Sequence, residues 1–370
     1  MKKKGFWVGV WLNCVIFGLS AGAAAAIYDF RDLGTLPGKS SSHAWNLNDN
    51  RQVVGRSFVT GIDDNMAFSW TLADGLQPLG TIGGPYSWPY GVNKMGDVVG
   101  MSKTSEALDL AFYWPLGGPI TPLPYINSPN PYSRAYAINA ERAVAGFSNN
   151  EKSSVKACVW WDPTSPESPQ NLGNLTEEPT HASIAYSIND NSLVVGVSKD
   201  VTEKDRPISW TSTDGMKDLG TLGGGSGVAR GVNNRGVAVG SADNPDGDRE
   251  AFSIDLSTLP PVMQGLGGLG GRGTFISVPN TISYAQGVND AGHVVGLSFD
   301  SSNQMAAFLW TKGYGMQDLN KLVANLPPGV VLARACAINS RGDIVGYTLA
   351  DRAFLLTRKG ASVPYLLLLD

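Results

Sequence analysis

The sequence predicts an all-β protein, a seven-bladed β-propeller with four antiparallel strands in each blade. The prediction depends on a unit that recurs seven times, on frequent turn-forming residues and on the lack of helical periodicity. In every unit an aliphatic residue precedes an Asn, and a Gly follows seven residues after that Asn. These Asn and Gly pairs are Asn48 and Gly55, Asn93 and Gly100, Asn139 and Gly146, Asn189 and Gly196, Asn233 and Gly240, Asn289 and Gly296, and Asn339 and Gly346. Successive Asn residues lie 44 to 56 positions apart, so the hairpin is constant in length while the loops between hairpins vary.

Each unit contains four short segments with strand character. The first ends at the repeated Asn and is followed by a tight turn, and the second is typified by Val294-Val295-Gly296. The third has the form Ala-Phe-x-Trp, as in Ala67 to Trp70, and the fourth follows a Gly-Met or Gly-Leu turn. Gly occupies the third position after Asn in four units, but Arg51, Arg142 and Ser192 occupy it in the others. We expect these three turns to differ in geometry, because Gly tolerates a positive φ better than other residues.

Four strands in roughly 45–50 residues match the size of one propeller blade. The structural alternative is a β-helix, whose coils are much shorter than these units. A single blade cannot bury both of its faces, whereas seven blades in a ring can, and the ring leaves only short, protected edges.

The ends of the chain predict how the ring closes. Tyr28 to Gly34 resembles the fourth strand of a unit, while the last unit ends with a third strand at Arg352 to Leu356 and lacks its own fourth strand. We therefore expect the N-terminal strand to complete the last blade; the competing candidate for this strand is Tyr365 to Leu369. Six internal fourth strands are expected at Gln77 to Gly80, Ile120 to Leu123, Gln170 to Gly173, Lys217 to Gly220, Met263 to Gly267 and Gln317 to Leu319.

The first 26 residues have the organisation of an export signal. Lys2, Lys3 and Lys4 precede an apolar stretch, and small residues up to Ala26 fit a signal peptidase site. We expect cleavage after Ala26, a propeller over residues 27–357, a tail over residues 358–370, and a secreted product that is extracellular or periplasmic. The alternative is a retained membrane anchor. No later apolar run is long enough to span a membrane, so no span is expected in the mature chain.

The repeats resemble the HAF repeat of bacterial extracellular proteins. The resemblance covers residues 28–357 and depends on Asp218 to Gly224, Val288 to Gly296 and Ala307 to Trp310. No copy keeps the histidine for which the repeat is named, so no role for that residue is transferred. Five copies keep Ala-Phe, while the third and fourth have Ala157-Cys158 and Pro207-Ile208. The resemblance implies export and a repeat scaffold, and it implies no established activity.

Charge and composition restrict the partners and cofactors. The formal net charge is −4, and the chain beyond residue 26 has no basic cluster, which argues against nucleic acid as a partner. The chain has three widely separated His residues without metal-ligand spacing, and we expect no cofactor. The one calcium candidate is the acidic loop with Asp243, Asp246 and Asp248, although its register does not match an EF-hand.

The two cysteines beyond the signal, Cys158 and Cys336, belong to different blades, and we expect both to be free thiols. The repeated Asn is expected to cap its hairpin turn, and the repeated Phe and Trp to pack between blades.

The variable loops between blades are the expected binding surface, because such loops cluster on one face of a propeller. Their aromatic and basic residues form a candidate rim, which comprises Tyr86, Trp88, Tyr125, Tyr132, Arg134 and Arg230. The leading hypothesis is an exported, non-catalytic scaffold that binds a protein or a glycan. The alternative is a propeller hydrolase or lyase whose residues come from several blades, and paired carboxylates at the channel mouth would favour it.

Overall fold

The computed structural model describes residues 27–61, 64–271 and 282–359. The predicted export signal, most of the loop between residues 270 and 284, and nearly all of the tail lie outside the described residues. The described chain forms seven four-stranded antiparallel sheets. The inner strands of consecutive sheets contact one another all the way around, so the sheets are the blades of a closed ring. The predicted seven-bladed β-propeller is confirmed.

The first four blades use consecutive strands, ordered from the channel outwards. Blade 1 consists of β2 (Ser41–Leu47), β3 (Val53–Phe58), β4 (Asn65–Thr71) and β5 (Gly75–Pro78). Blade 2 consists of β6 (Gly83–Val92), β7 (Val98–Thr104), β8 (Asp109–Trp114) and β9 (Thr121–Pro122). Blade 3 consists of β10 (Ser133–Ile138), β11 (Val144–Asn149), β12 (Val155–Trp160) and β13 (Gln170–Asn171). Blade 4 consists of β14 (Ser183–Ile188), β15 (Val194–Lys199), β16 (Asp205–Thr211) and β17 (Gly215–Asp218).

The remaining blades follow the same order, except that the last one takes its outer strand from the N-terminus. Blade 5 consists of β18 (Gly227–Val232), β19 (Val237–Asp243), β20 (Arg249–Asp255) and β21 (Met263–Gly265). Blade 6 consists of β22 (Ser283–Val288), β23 (Val294–Phe299), β24 (Met305–Thr311) and β25 (Gly315–Asp318), followed by a 3-10 turn at Leu319–Lys321. Blade 7 consists of β26 (Leu332–Ile338), β27 (Ile344–Thr348), β28 (Ala353–Arg358) and β1 (Tyr28–Asp32).

The predicted ring closure is confirmed. β1 pairs antiparallel with β28, and Tyr28 lies opposite Arg358. The other edge of β1 is also covered, because Tyr28 forms a parallel bridge with Val323 and the amide of Ala324 donates to the Tyr28 carbonyl. Neither edge of the closing strand is therefore left open to another chain.

The repeated Asn caps its hairpin, as predicted, and also joins each blade to the next. Its Oδ1 accepts the backbone N–H groups two and four residues ahead. Its Nδ2 donates to the carbonyl of the repeated Asn in the following blade, at 2.8 to 3.4 Å. The seventh of these bonds runs from Asn339 to Asn48, so the buried amides form an uninterrupted hydrogen-bonded ring.

The prediction that the turns at Arg51, Arg142 and Ser192 differ in geometry is wrong. These residues adopt φ values of 61°, 68° and 60°, and they keep the hydrogen bond that the glycine turns make to the repeated Asn. The two bonds accepted by the Asn side chain hold the turn in the left-handed region even where a side chain is present.

The two arginines at this turn position bind the preceding blade. Arg142 donates from Nε to Asp97 at 2.8 Å, and Arg51 donates from Nε to Asp343 at 2.7 Å. Both aspartates are buried and lie four residues after the repeated Asn of the preceding blade. Two blades have Asp four residues after the repeated Asn. In the blade that follows each of them, Arg takes the place of the turn glycine.

Replacing Asp97 by Asn is expected to lower the free energy of unfolding by about 2 kcal/mol at pH 7, because a hydrogen bond to a charged group contributes roughly 1.5–3 kcal/mol. Burial acts to raise the pKa of Asp97, but the bonds from Arg142, the Leu116 amide and Asn93 lower it below its usual 3.8. A carboxyl whose pKa is depressed in the folded state stabilises fully above its unfolded pKa, and less as pH falls through the folded value. The difference in the free energy of unfolding between wild type and variant should therefore become smaller below pH 3.8.

Urea unfolding at pH 7 and pH 3 measures this difference. The control is Asp214→Asn, since that half-exposed carboxylate pairs with an exposed Lys217, and surface ion pairs contribute little to stability. Equal losses in the two variants would contradict a special role for the buried pair.

The repeated Phe and the cysteines behave as expected from the sequence. Phe68, Phe112, Phe252, Phe308 and Phe354 are fully buried, which confirms packing between blades. Cys158 replaces this Phe in blade 3 and is also buried, and both Cys158 and Cys336 are free thiols. Burial raises the pKa of Cys336 to about 11, so this thiol stays protonated at neutral pH.

Candidate functional site in the central channel

Every inner strand contains a β-bulge at the same place. The register shifts between the fourth and the second residue before the repeated Asn, in all seven blades. The extra residue is therefore the third before each Asn, and a bulge changes the direction of such a side chain. The repeated Gly lies opposite the bulge, and a Cβ there would clash with an inner-strand carbonyl oxygen. The fixed Gly thus allows the close backbone approach that forms the bulge.

Two rings of side chains line the channel. We call the residues five positions before each repeated Asn the upper tier; it contains His43, Trp88, Arg134, Ile184, Val228, Tyr284 and Arg334. We call the residues three positions before each repeated Asn the lower tier; it contains Trp45, Tyr90, Tyr136, Tyr186, Arg230, Gln286 and Cys336. Nearly all of these side chains are partly exposed although they lie on the innermost strands, as expected for the wall of a channel.

Aromatic contacts run along half of the lower tier. The ring centroids of Tyr136 lie 5.0 Å from those of both Tyr90 and Tyr186, and Trp45 lies 6.5 Å from Tyr90. The guanidinium of Arg230 lies 4.1 Å from the Tyr186 ring centroid and extends this series into blade 5. Burial raises the pKa of Tyr136 to about 12, so its phenol stays protonated at neutral pH.

The upper tier has two unlike halves. Its apolar arc is Ile184, Val228 and Tyr284 in blades 4, 5 and 6. Its polar arc spans blades 7, 1, 2 and 3, where Arg334, His43, Trp88 and Arg134 follow one another. Neither tier contains Asp or Glu. The paired carboxylates that would favour a hydrolase or a lyase are therefore not found at these positions.

Cations and aromatic rings alternate along the polar arc. Arg56, which pairs with His43 across the sheet, lies 4.4 Å from the Trp88 ring centroid. Arg334 lies 6.0 Å from the Trp45 ring centroid and donates to Gln286 Oε1 at 2.6 Å.

His43 lies within this arc and is uncharged. It stacks on Tyr347 at 3.9 Å, and its Nε2 lies 2.8 Å from Asp351. Burial lowers the pKa of His43 below its usual 6.5, although the bond with Asp351 opposes this shift. His43 is therefore neutral at pH 7.

Several buried donors in the channel wall have no acceptor. Among the described residues, the indole Nε1 atoms of Trp45 and Trp88 and the Nε atoms of Arg134 and Arg334 are buried without a hydrogen-bond partner. Within the same residues, Arg134, Arg230 and Arg334 form no ion pair with a carboxylate. Native structures leave few buried polar groups unsatisfied, so these four donors are candidate contacts for a ligand.

The structure brings together part of the rim predicted from the sequence. Trp88 and Arg134 belong to the upper tier, Tyr132 lies 5.4 Å below the Arg134 guanidinium, and Arg230 belongs to the lower tier. Tyr86 is buried elsewhere, since its hydroxyl donates to Asp109 and accepts from Lys103. Tyr125 lines a separate proline-rich groove beside blades 2 and 3.

The loop proposed for calcium is a repeated hairpin turn. Asn244 caps it by accepting the amides of Asp246 and Asp248, and the turns at Asn150 and Asp200 have the same bonds. Asp243 pairs with Arg249 at 3.0 Å. Within the described ranges, no three His, Cys, Asp or Glu side chains come together as metal ligands, and these three aspartates are included in that finding.

Most of the lower tier and Arg334 were not predicted from the sequence. The information was present in two columns of the repeat, but the bulge that aims the lower tier at the channel was not predicted. Strict alternation places residues two positions apart on the same face of a sheet, but it does not show that both columns border the channel.

Comparisons with known proteins identify the fold and nothing finer. No protein-family model matches this chain. A search of curated proteins found no match. One similar structure is the extracellular domain of a hybrid two-component system from B. thetaiotaomicron, with a TM-score of 0.53 and 9% identity over 91% of this chain and 40% of that chain.

Two similar structures come from peptidases. A puromycin-hydrolysing peptidase from Mycobacterium tuberculosis gives a TM-score of 0.53 and 11% identity over 92% of this chain and 54% of that chain. The β-propeller domain of the trilobed protease from Pyrococcus furiosus gives a TM-score of 0.51 and 10% identity over 88% of this chain and 100% of that chain. The present chain therefore spans about half the length, or less, of the first two proteins. At such identities the likeness is one of fold.

In the parts of the chain that the structure describes, none of the helical segments has the length and apolar character needed to cross a membrane.

Proposed function

We propose that this chain is an exported, non-catalytic scaffold of the HAF-repeat type, which binds a glycan or a protein at the upper end of its central channel. The observation that carries the proposal is the set of buried donors without acceptors at Trp45, Trp88, Arg134 and Arg334. These donors lie beside aromatic faces suited to ring stacking. The absence of Asp and Glu from both tiers supports binding over hydrolysis.

Support for export comes from the sequence of residues 1–26 and from the resemblance of the repeats to those of extracellular proteins. A similar propeller fold also occurs in an extracellular domain, although that likeness concerns fold alone. A rigid ring with a chemically distinct channel suits a binding protein, because the ligand groups are positioned by strands rather than by loops.

Glycan-array screening of the wild-type protein and of Trp88→Ala tests this function. We expect wild-type binding and a loss of at least about 10-fold in the variant, since removing a stacked aromatic and its donor eliminates roughly 1.5–3 kcal/mol. The matched control is Trp161→Ala, whose indole is 43% exposed at the end of blade 3 and bonds Gln170.

Binding should be the same in calcium and in chelator, because the acidic loop is a capped turn. Retention of binding by Trp88→Ala, or an equal loss in the Trp161 control, would contradict a channel site. Binding that requires calcium would contradict the assignment of the acidic loop.

A further inference from the structure

We infer that the ligand of the channel is acidic, a glycan carrying hexuronate residues whose carboxylates bind at Arg134 and at Arg334. This inference rests on the proposed function and specifies its ligand.

The polar arc offers donors in excess. Arg and Trp side chains donate and cannot accept hydrogen bonds. Two nearby acceptors are occupied, since Gln286 Oε1 accepts from Arg334 and Asp351 bonds His43. A neutral sugar hydroxyl needs a partner for its own O–H as well as a donor. A carboxylate needs donors only, so it matches a wall made of Arg and Trp.

Charge leads to the same conclusion. The whole chain has a net charge of −4, yet Arg134, Arg230 and Arg334 line the channel without a described carboxylate partner. Arginine binds a carboxylate with two parallel hydrogen bonds, which makes it suited to this group. An anion entering the channel would supply the missing opposite charge.

The opposite wall fits the rest of a sugar ring. The apolar arc of Ile184, Val228 and Tyr284 lies across the ring of blades from the polar arc. A pyranose has a polar edge and an apolar C–H face, and the aromatic ring of Tyr284 in the apolar arc can cover that face. A site with one donor-rich side and one apolar side therefore suits a carboxylated pyranose.

Calorimetric titration with trigalacturonate, and with its fully methyl-esterified form, tests the inference. The two probes share the same sugar rings and differ in charge. We expect the acid to bind the full-length mature protein at least about 10-fold more tightly than the ester. Raising the salt concentration should weaken binding of the acid and leave the ester unchanged.

Arg134→Gln and Arg334→Gln should each weaken acid binding by about 10- to 100-fold. Arg134→Lys should give an intermediate loss, because it keeps the charge but loses the two-bond geometry. The control is Arg206→Gln, whose guanidinium pairs with Asp218 at 2.9 Å on the outer part of blade 4. Unchanged melting temperatures show that the variants are folded.

Equal binding of acid and ester overturns this inference while leaving the proposed channel function in place. Binding of neither probe also overturns it; the glycan array then decides the proposed function separately. Loss of acid binding in the Arg206 control would show a non-specific charge effect and would count against the site.

Discussion

Removing residues 27–36 is expected to lower the free energy of unfolding of the whole ring by roughly 5 kcal/mol or more. The deletion removes β1 and the buried side chains of Tyr28, Leu33 and Leu36. Each such side chain contributes roughly 1.5–3 kcal/mol through burial alone. The deletion also exposes the edge of β28, whose backbone groups would have no partner.

The loss should be cooperative, because β1 joins the two ends of the chain. A urea titration followed by circular dichroism measures the change, and a single transition at lower urea concentration is expected. Tyr28→Ala should reproduce much of the effect, about 3–5 kcal/mol, since its side chain is almost fully buried.

Deletion of residues 361–370 is the control, because β28 already has β1 as its partner. That deletion should leave the melting temperature unchanged. If it destabilises the protein while loss of residues 27–36 does not, the tail closes the ring and the N-terminal strand does not.

Replacing Asn189 by Ala is expected to lower the free energy of unfolding by about 3 kcal/mol, because unmet buried hydrogen-bonding groups cost roughly 1–3 kcal/mol each. Asn189 donates to the Asn233 carbonyl at 2.8 Å and accepts the amides of Asn191 and Leu193. Alanine has no side-chain group that can replace these hydrogen bonds to the Asn233 carbonyl and the two turn amides. Because this bond is one of seven that join consecutive blades, the loss affects an interface and not only one turn.

Asn189→Asp separates the donor from the acceptor role of this side chain. The carboxylate still accepts the two turn amides, but it cannot donate, and it faces the carbonyl of Asn233. Burial should raise its folded pKa above the unfolded value of about 3.9. The charged form therefore destabilises the protein at neutral pH, and this effect diminishes as pH falls through the folded pKa.

Urea unfolding of both variants at pH 7 and pH 4 measures these effects. The control is Asn191→Ala, an exposed neighbour that donates to Asn234 at 3.0 Å, which should change stability by about 0.5 kcal/mol or less. If both substitutions lower the free energy of unfolding equally, the buried amide of Asn189 contributes no more to stability than the exposed side chain of Asn191. A pH-independent Asp variant would contradict the donor role.

The interpretation of Arg51 and Arg142 shows where sequence reasoning about turns was incomplete. A residue other than Gly suggested a different turn, because a positive φ is unfavourable for residues with a Cβ. The structure keeps the same turn, since the Asn cap holds the backbone and each arginine gains a buried aspartate in the blade before it. The compensation comes from a residue 45 or 292 positions away, which local turn preferences do not contain.

The candidate site was predicted only in part, because its residues are also brought together by the packing of distant blades. Trp88, Arg134 and Arg230 were identified from the loops, and the structure places them in the channel wall. Trp45, Tyr90, Tyr136, Tyr186 and Arg334 were missed because each is one residue in its own blade. Their common position becomes a surface only when seven inner strands are arranged around one axis.

The sequence by itself determined the number of blades, the four strands of each blade and the strand that closes the ring. These features follow from local rules, namely strand alternation, turn residues at fixed spacing and a count of matching segments at the two ends. The tertiary structure alone decided the ring of amides, the bulges and the two tiers. The bulges form within single hairpins, but the amide ring depends on contacts between residues 44 to 291 positions apart. Such contacts, and the tiers that the inner strands form together, arise only after the blades have packed.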